Sequence, residues 1–183
     1  MILGISGKSG SGKSSISKYL EDNYGYMWID SDKIAKEIRE IHINEIIDLV
    51  GDSDIVKESK IDSKKLGDIL FSNTELLKKY NDFIYSKLKK SIKDLTKKSK
   101  KIVIDSMFLP IMEIYNDCDY KILVICDTEK RKQRIINRDN IEEEYFIKRD
   151  NNGLNYNCDD FDFVIDNNDD FKLQLEEIMK VLN

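Results

Sequence analysis

The sequence has 183 residues, of which 40% are hydrophobic and 36% are charged, and this length favours one domain with a sizeable core. Its net charge of −5 argues against a nucleic-acid partner. No apolar run approaches the roughly 20 residues of a membrane helix, and the three cysteines and one histidine lack metal-site spacing, so we expect a cytoplasmic protein without a membrane partner.

Short apolar runs alternate with helical patterns along the whole chain. The predicted elements, in chain order, are a strand at 1–6, a helix at 13–23, a strand at 26–30, helical stretches up to residue 51, a polar loop at 52–62, a helical stretch at 63–99, strands at 101–105 and 120–126, helices at 128–139 and 141–150, a strand at 162–166 and a closing helix. Because apolar strands separated by helices form parallel sheets, we predict an α/β fold with a five-stranded, mostly parallel sheet and helices on both faces.

The first strand runs directly into the stretch GKSGSGKS, residues 7–14, which fits the phosphate-loop pattern G-x-x-x-x-G-K-[ST] in full. Its glycines let backbone N–H groups converge on phosphate oxygens at a helix start. Lys13 is expected to reach the β- and γ-phosphates of ATP, and Ser14 to bind Mg²⁺. The predicted nucleotide-binding residues of the loop are Gly7, Ser9, Gly10, Ser11, Gly12, Lys13, Ser14 and Ser15.

Two features that other phosphate-loop proteins need are missing from the sequence. No strand ends in the Asp-Glu pair with which a large ATPase activates water, and no N-K-x-D element is present to read guanine. These absences favour a small enzyme that transfers a phosphoryl group from ATP to a bound small molecule. Such enzymes close an arginine-bearing lid over the reacting groups.

The arginines are concentrated in one stretch, since four of the five lie within residues 131–149. Arg131, Arg134 and Arg138 are spaced by three and four residues and therefore share one face of the predicted helix. Guanidinium groups bind phosphate in a bidentate manner, which predicts a lid at about 131–152. The alternative is a solvated helix face paired with the acidic residues at 142–144.

A pair of carboxylates, Asp30 and Asp32, follows the second predicted strand in WIDSDK, residues 28–33. If the chain stays extended there, both side chains point to the same side, toward the phosphate loop at the carboxyl ends of the strands. One of them would accept the proton of an acceptor hydroxyl or help to hold Mg²⁺. The alternative is that Ser31 or Asp32 caps the next helix.

Together these motifs resemble the dephospho-coenzyme A kinase family. The resemblance includes the phosphate loop, IDSDKIAKEI from residue 29, KIVIDSMFLPIME from residue 101, the arginine helix RIINRDNIEEEYF at 134–146 and FVIDN at 163–167. It covers nearly the whole chain in order and spacing. It implies a P-loop kinase fold in one domain, residues 1–183, with a helical acceptor-binding insertion at about 52–100 and the lid.

The resemblance also implies roles for individual residues. ATP would be the donor and the 3′-hydroxyl of dephospho-CoA the acceptor, in a protein that is often a monomer. Asp32 would be the catalytic base, assisted by Lys13 and Arg138, and both Arg134 and Arg138 would bind the nucleotide. Asp30, Asp32, Asp105 and Asn151 would lie at the acceptor or at Mg²⁺.

Several positions depart from the family pattern, mainly where the acceptor should bind. NDFIYSKL, from residue 81, lacks the usual His-Pro, Asn151 stands at a usual glutamine, and no basic residue follows Arg149 until Lys172. Two alternatives therefore stay open: a nucleoside or deoxynucleoside monophosphate kinase of the same fold, and a nucleotide-binding regulatory protein without turnover.

Overall fold

A computed structural model describes residues 1–182 and divides the chain into two compact units. The first unit combines Met1–Asp30 with the chain from Leu95 onward, and the second is Ser31–Asp94. The predicted acceptor-binding insertion, at about 52–100, lies mainly in the second unit, and its role stays a prediction. No helix in the described part of the chain is long and apolar enough to cross a membrane.

The first unit contains the sheet and the helices that surround the phosphate loop. Its elements are β1 (Ile2–Ser6), α1 (Lys13–Tyr24), β2 (Met27–Asp30), β5 (Ile102–Asp105), 3₁₀ turns at Leu109–Ile111 and Glu113–Asp117, β6 (Tyr120–Ile125), α6 (Thr128–Asp139), α7 (Glu143–Asn151), a 3₁₀ turn at Cys158–Asp160, β7 (Phe163–Asp166) and α8 (Lys172–Leu182). The five predicted strands are confirmed to within a residue or so at each end.

The five strands form one sheet in the order β2-β5-β1-β6-β7, and every pairing between neighbours is parallel. This confirms the predicted parallel sheet with helices. β1 is the central strand, and the phosphate loop follows its carboxyl end. Because the strands are parallel, the carboxyl ends of β5, β6 and β7 lie at the same edge of the sheet, where ligands bind in α/β folds.

The core of the first unit lies between one face of this sheet and two helices. Leu3 and Ile5 of β1 are fully buried in it, and they share the cluster with Ile16 of α1 and Leu175 of α8. Burying a side chain of this size stabilises the fold by about 1.5–3 kcal/mol. The first and last helices of the chain thus anchor the strand that carries the phosphate loop.

The second unit is mainly helical. Its elements are α2 (Ser31–Ile41), α3 (Ile43–Val50), a 3₁₀ turn at Ser53–Ile55, a hairpin of β3 (Val56–Lys57) and β4 (Lys60–Ile61), α4 (Ser63–Ser72) and α5 (Thr74–Thr96), whose last two residues belong to the first unit. The long helix buries one apolar stripe, formed by Tyr80, Ile84, Leu88 and Ile92 of α5.

Two details of this unit differ from the sequence prediction. The helical stretch at 63–99 is two helices, because Asn73 is extended and its side chain accepts a hydrogen bond from the N–H of Leu76. An asparagine in this role starts a new helix. The stretch at 52–62 is not only loop, since it contains the small β3–β4 hairpin.

Candidate functional site

The phosphate loop joins β1 to α1 as predicted, and Gly12 shows why the glycine positions matter. Gly12 is the N-cap of α1 with a left-handed φ of 101°. A Cβ built on it would lie 2.0 Å from Nδ2 of Asn167, a backbone-and-contact combination that only glycine tolerates. Among the described residues no side chain caps this helix start. The first turn of α1 is therefore open toward an anion.

Lys13, a predicted catalytic residue, and Ser14, a predicted Mg²⁺ ligand, each contact an identifiable partner. Lys13 is only 8% exposed, and its Nζ lies 3.4 Å from the carbonyl oxygen of Lys8. The hydroxyl of Ser14 donates to Oδ2 of Asp105 at 2.8 Å. Asp105 ends the neighbouring strand β5 and is itself buried. The loop serine and the strand-end carboxylate thus form one oxygen-rich corner.

Asp30 lies on the strand next to this corner. It ends β2 and is paired in register with Asp105 of β5, so the two carboxylates stand side by side on one face of the sheet. Mg²⁺ takes oxygen ligands and in kinases uses one or two carboxylates beside the phosphates. Within residues 1–182 no cluster of three or more His, Cys, Asp or Glu side chains could hold a metal alone. The oxygen atoms of Ser14, Asp105 and Asp30 fit a Mg²⁺ site in which the phosphates of the nucleotide supply further ligands.

The prediction that Asp30 and Asp32 lie on one extended segment and point to the same side is wrong. The chain does not stay extended after Asp30, because α2 begins at Ser31 and places Asp32 in its first turn. Asp32 is exposed and belongs to the second compact unit. A carboxylate in the first turn of a helix also interacts favourably with the helix dipole. Its role as base stays a prediction that rests on the family pattern.

The arginines of α6 do not act as one face. Arg134 is exposed, and its guanidinium donates to the carbonyl oxygens of Gly10 at 3.1 Å and Asn167 at 3.2 Å. Arg131 is buried and pairs with Asp150. Both lie on α6 as predicted, and Arg131 also reaches the loop, at the carbonyl oxygen of Ser9. They differ in burial, because Arg131 is buried in its pair with Asp150 while Arg134 stays exposed.

Arg138 lies farther along α6 and is held by its neighbour. Its Nε and Nη2 atoms donate to the two oxygens of Asp139 at 2.6 and 2.9 Å, and Arg149 of α7 donates to the same carboxylate at 3.0 Å. These contacts, those of Arg138 first, hold the pKa of Asp139 below its usual range. Asn151, a predicted acceptor contact, is exposed at the end of α7.

A cleft of about 400 Å³ lies beside the start of α1. It combines polar groups with the ring of Phe171 and the guanidinium of Arg134, and it contains Ser15 of the predicted loop set. Its lining residues are Gly12, Ser15, Arg134, Asn167, Asp169, Asp170, Phe171 and Lys172. A planar, partly apolar group of a nucleotide fits such a cleft better than a phosphate does.

Sequence reasoning missed the importance of Asn167 and Asp150. Asn167 is buried, and its Nδ2 donates to the carbonyl oxygen of Ser11 at 2.7 Å. In the sequence, Asn167 is marked only as the last residue of FVIDN, one of the stretches that resemble the family. Asp150 accepts from Arg131, a contact that holds the pKa of Asp150 below its usual range. Nothing in the local sequence marks that pairing, because the partners are 19 residues apart.

Comparison with known proteins finds a family model that matches most of the chain. The family model for dephospho-CoA kinase matches residues 1–172. The chain is 41% identical over 148 residues to a dephospho-CoA kinase of Fusobacterium nucleatum, an alignment that covers 79% of this chain and 76% of that protein.

Solved structures show the same fold at lower identity. The dephospho-CoA kinase from Campylobacter jejuni has a TM-score of 0.57 at 23% identity, over 99% of this chain and 95% of that one. A deoxyadenosine kinase from M. mycoides with bound dATP has a TM-score of 0.57 at 21% identity, over all of both chains. These likenesses confirm the α/β fold of the P-loop kinases.

Proposed function

The chain belongs to the dephospho-CoA kinase family, and from that premise we propose that it transfers the γ-phosphoryl group of ATP to the 3′-hydroxyl of dephospho-CoA, the last step of coenzyme A biosynthesis. As a member of this family it is an ATP-dependent kinase. The observation that carries the proposal is an intact phosphate loop in a chain whose residues 1–172 match that family.

On the donor side, the loop N–H groups and Lys13 would bind the β- and γ-phosphates of ATP. Ser14, Asp105 and Asp30 would hold Mg²⁺, which when bound neutralises charge on the phosphate oxygens. The contact between Ser14 and Asp105, 2.8 Å long, supports this assignment. The cleft beside Ser15 and Phe171 would take the nucleotide base.

On the acceptor side, Asp32 would accept the proton of the attacking 3′-hydroxyl as oxygen bonds to phosphorus. Arg138 would exchange the carboxylate of Asp139 for the oxygens of the transferred phosphoryl group, since its paired contacts show the fork geometry that phosphate also fits. We further propose that the helical insertion at about 52–100 contributes to acceptor binding. Asn151 is proposed as an acceptor contact as well.

Several properties of the whole protein belong to the same proposal. A net charge of −5 favours small-molecule partners over nucleic acid. Cys118, Cys126 and Cys158 are free thiols, which suits a reducing, cytoplasmic compartment. We propose a monomer that functions there without a membrane partner.

The proposal is tested by presenting one acceptor at a time. The protein is incubated with ATP and Mg²⁺ and with dephospho-CoA, dAMP, dGMP, dTMP or dCMP, and ADP release is measured. Release with dephospho-CoA alone is expected. Release only with a nucleoside monophosphate would replace this function with the nucleotide-kinase alternative, and tight ATP binding without any turnover would favour the regulatory protein. The Lys13→Met variant controls for a contaminating kinase.

A further inference from the structure

Three successive carbonyl groups of the phosphate loop are bound by side chains from outside the loop. The carbonyl oxygen of Ser9 accepts from Nη1 of Arg131 at 3.3 Å. That of Gly10 accepts from Arg134 at 3.1 Å, and that of Ser11 accepts from Nδ2 of Asn167 at 2.7 Å. The donors come from α6 and from the turn after β7. The outer side of the loop is therefore fixed by tertiary contacts.

Holding these carbonyls outward orients the inner side of the loop. In a trans peptide the C=O and the following N–H point in opposite directions. Fixing the carbonyls of Ser9 and Ser11 thus aims the N–H groups of Gly10 and Gly12 the other way, while the N–H of Ser11 closes the turn onto the carbonyl of Lys8. Converging N–H groups are what bind phosphate in such loops.

All N–H donors of the Arg131 guanidinium are used in contacts within the protein. Its residue is 3% exposed. Nε donates to the carbonyl of Cys126, Nη1 to that of Ser9, and Nη2 to the hydroxyl of Thr128. Nη1 and Nη2 also donate to the two oxygens of Asp150, at 2.6 and 3.1 Å. These five bonds match the five N–H donors of a guanidinium. No donor remains to bind a phosphate.

Asp150 approaches the loop through a second contact. One of its oxygens lies 3.4 Å from Nζ of Lys8, the residue before Ser9. The carboxylate, near the end of α7, therefore contacts the loop directly through Lys8 and indirectly through Arg131. A bidentate pair between a buried guanidinium and a partly buried carboxylate is strongly oriented, because moving either partner leaves a charge unpaired.

We propose that Arg131 and Asp150 form a brace that preorganises the phosphate loop for ATP, and that Arg131 is a positioning residue with no contact to the transferred phosphoryl group. The brace holds the carbonyl of Ser9 outward before ATP arrives, so that binding does not have to order the loop. This inference rests on ATP binding in the proposed function, and it is independent of the acceptor.

The chain supplies a matched control for the test. Lys132 is the next residue on α6 and also bridges to α7, through Glu143 at 2.7 Å, but among the described residues no hydrogen bond or ion pair joins it to the loop. Arg131→Lys keeps the charge and loses the fork, Asp150→Asn keeps the shape and loses the charge, and Lys132→Gln breaks a neighbouring ion pair. Thermal unfolding of each variant reports its stability.

The measurements are the Kd of ATP with Mg²⁺, the Kd of adenosine and the steady-state constants. For both brace variants we expect the Kd and KM of ATP to rise about tenfold or more. Adenosine, which has no phosphate, should bind within about twofold of wild type, and kcat at saturating ATP should stay within about threefold. Lys132→Gln should keep the wild-type affinity for ATP.

Other outcomes overturn the inference. An unchanged ATP affinity in both brace variants would show that the pair only stabilises the fold, as would equal weakening of ATP and adenosine or unfolding of both variants. A loss of about 10²-fold in kcat with an unchanged KM would make Arg131 a catalytic residue instead. If wild type binds ATP but does not phosphorylate dephospho-CoA, the acceptor assignment fails while the ATP affinities still decide the brace.

Discussion

At Gly12, backbone conformation and packing impose the same requirement. Its φ of 101° excludes most side chains, and the nearest atom to a built Cβ, 2.0 Å away, is the amide nitrogen that holds the carbonyl of Ser11. The glycine pattern that predicts the loop from sequence thus has a tertiary cause as well as a local one. That cause was not readable from the motif, because Asn167 lies 156 residues from Ser11.

We predict that Gly12→Ala lowers ATP affinity by at least about tenfold, because the added methyl group displaces Asn167 from the loop. Gly25→Ala is the control, since Gly25 also has a positive φ, 70°, but nothing lies within 4 Å of its built Cβ. That variant bears only the backbone strain, about 1 kcal/mol or somewhat more. Isothermal titration with ATP compares the two, and equal affinities would contradict the packing argument.

Asp32 is the residue whose proposed role depends most on the family pattern. We predict that Asp32→Asn leaves the Kd of ATP within about twofold and lowers kcat about 10²-fold or more, because the proton acceptor is lost while the phosphate loop is intact. Asp48→Asn, an exposed acid of α3 in the same compact unit, is the control. Turnover like that of wild type would reduce Asp32 to a helix-terminal charge.

At the scale of elements, helices α6 and α7 carry both the pair that we propose positions the phosphate loop and the arginines that we propose bind the nucleotide. The sequence pattern alone did not separate these two groups. Periodicity correctly placed three arginines on α6, but it did not distinguish the buried Arg131 from the exposed Arg134 and Arg138. The distinction depends on Asp150, which arrives from the next helix. Spacing predicts which residues share a helix, and long-range ion pairs decide which of them remain available to a ligand.

The Arg131–Asp150 pair also predicts a pH dependence of stability. The guanidinium of Arg131, with Lys8 nearby, holds the pKa of Asp150 below its usual range. A carboxyl with a lowered folded pKa contributes stability that is complete above its unfolded pKa, about 3.9, and is lost as pH falls through the folded value. The difference in unfolding free energy between wild type and Asp150→Asn should therefore shrink below about pH 4.

Urea unfolding at pH 7, 5 and 3 measures this difference. We expect similar differences at pH 7 and 5 and a smaller one at pH 3. A difference that stays constant across the three values would show that the ion pair is not what couples this carboxyl to folding.

At the scale of the whole molecule, the chain builds its phosphate site within one compact unit and interrupts that unit by a helical one. The parallel sheet was predictable, because its strands are short apolar runs separated by helices. The division at Ser31 was not, because the helical pattern starts there without any linker composition. The break at Asn73 was equally hidden, since apolar periodicity continues on both sides of it.

The most direct test of the central claim is to identify the product. The full chain is incubated with ATP labelled at the γ-phosphate, Mg²⁺ and dephospho-CoA, and the product is analysed by mass spectrometry and phosphorus NMR. We predict a product with the mass of coenzyme A that carries the label as a phosphomonoester on the ribose 3′-oxygen, together with one ADP per product. Unlabelled dephospho-CoA recovered unchanged, or a label on any other oxygen, would contradict the proposed function.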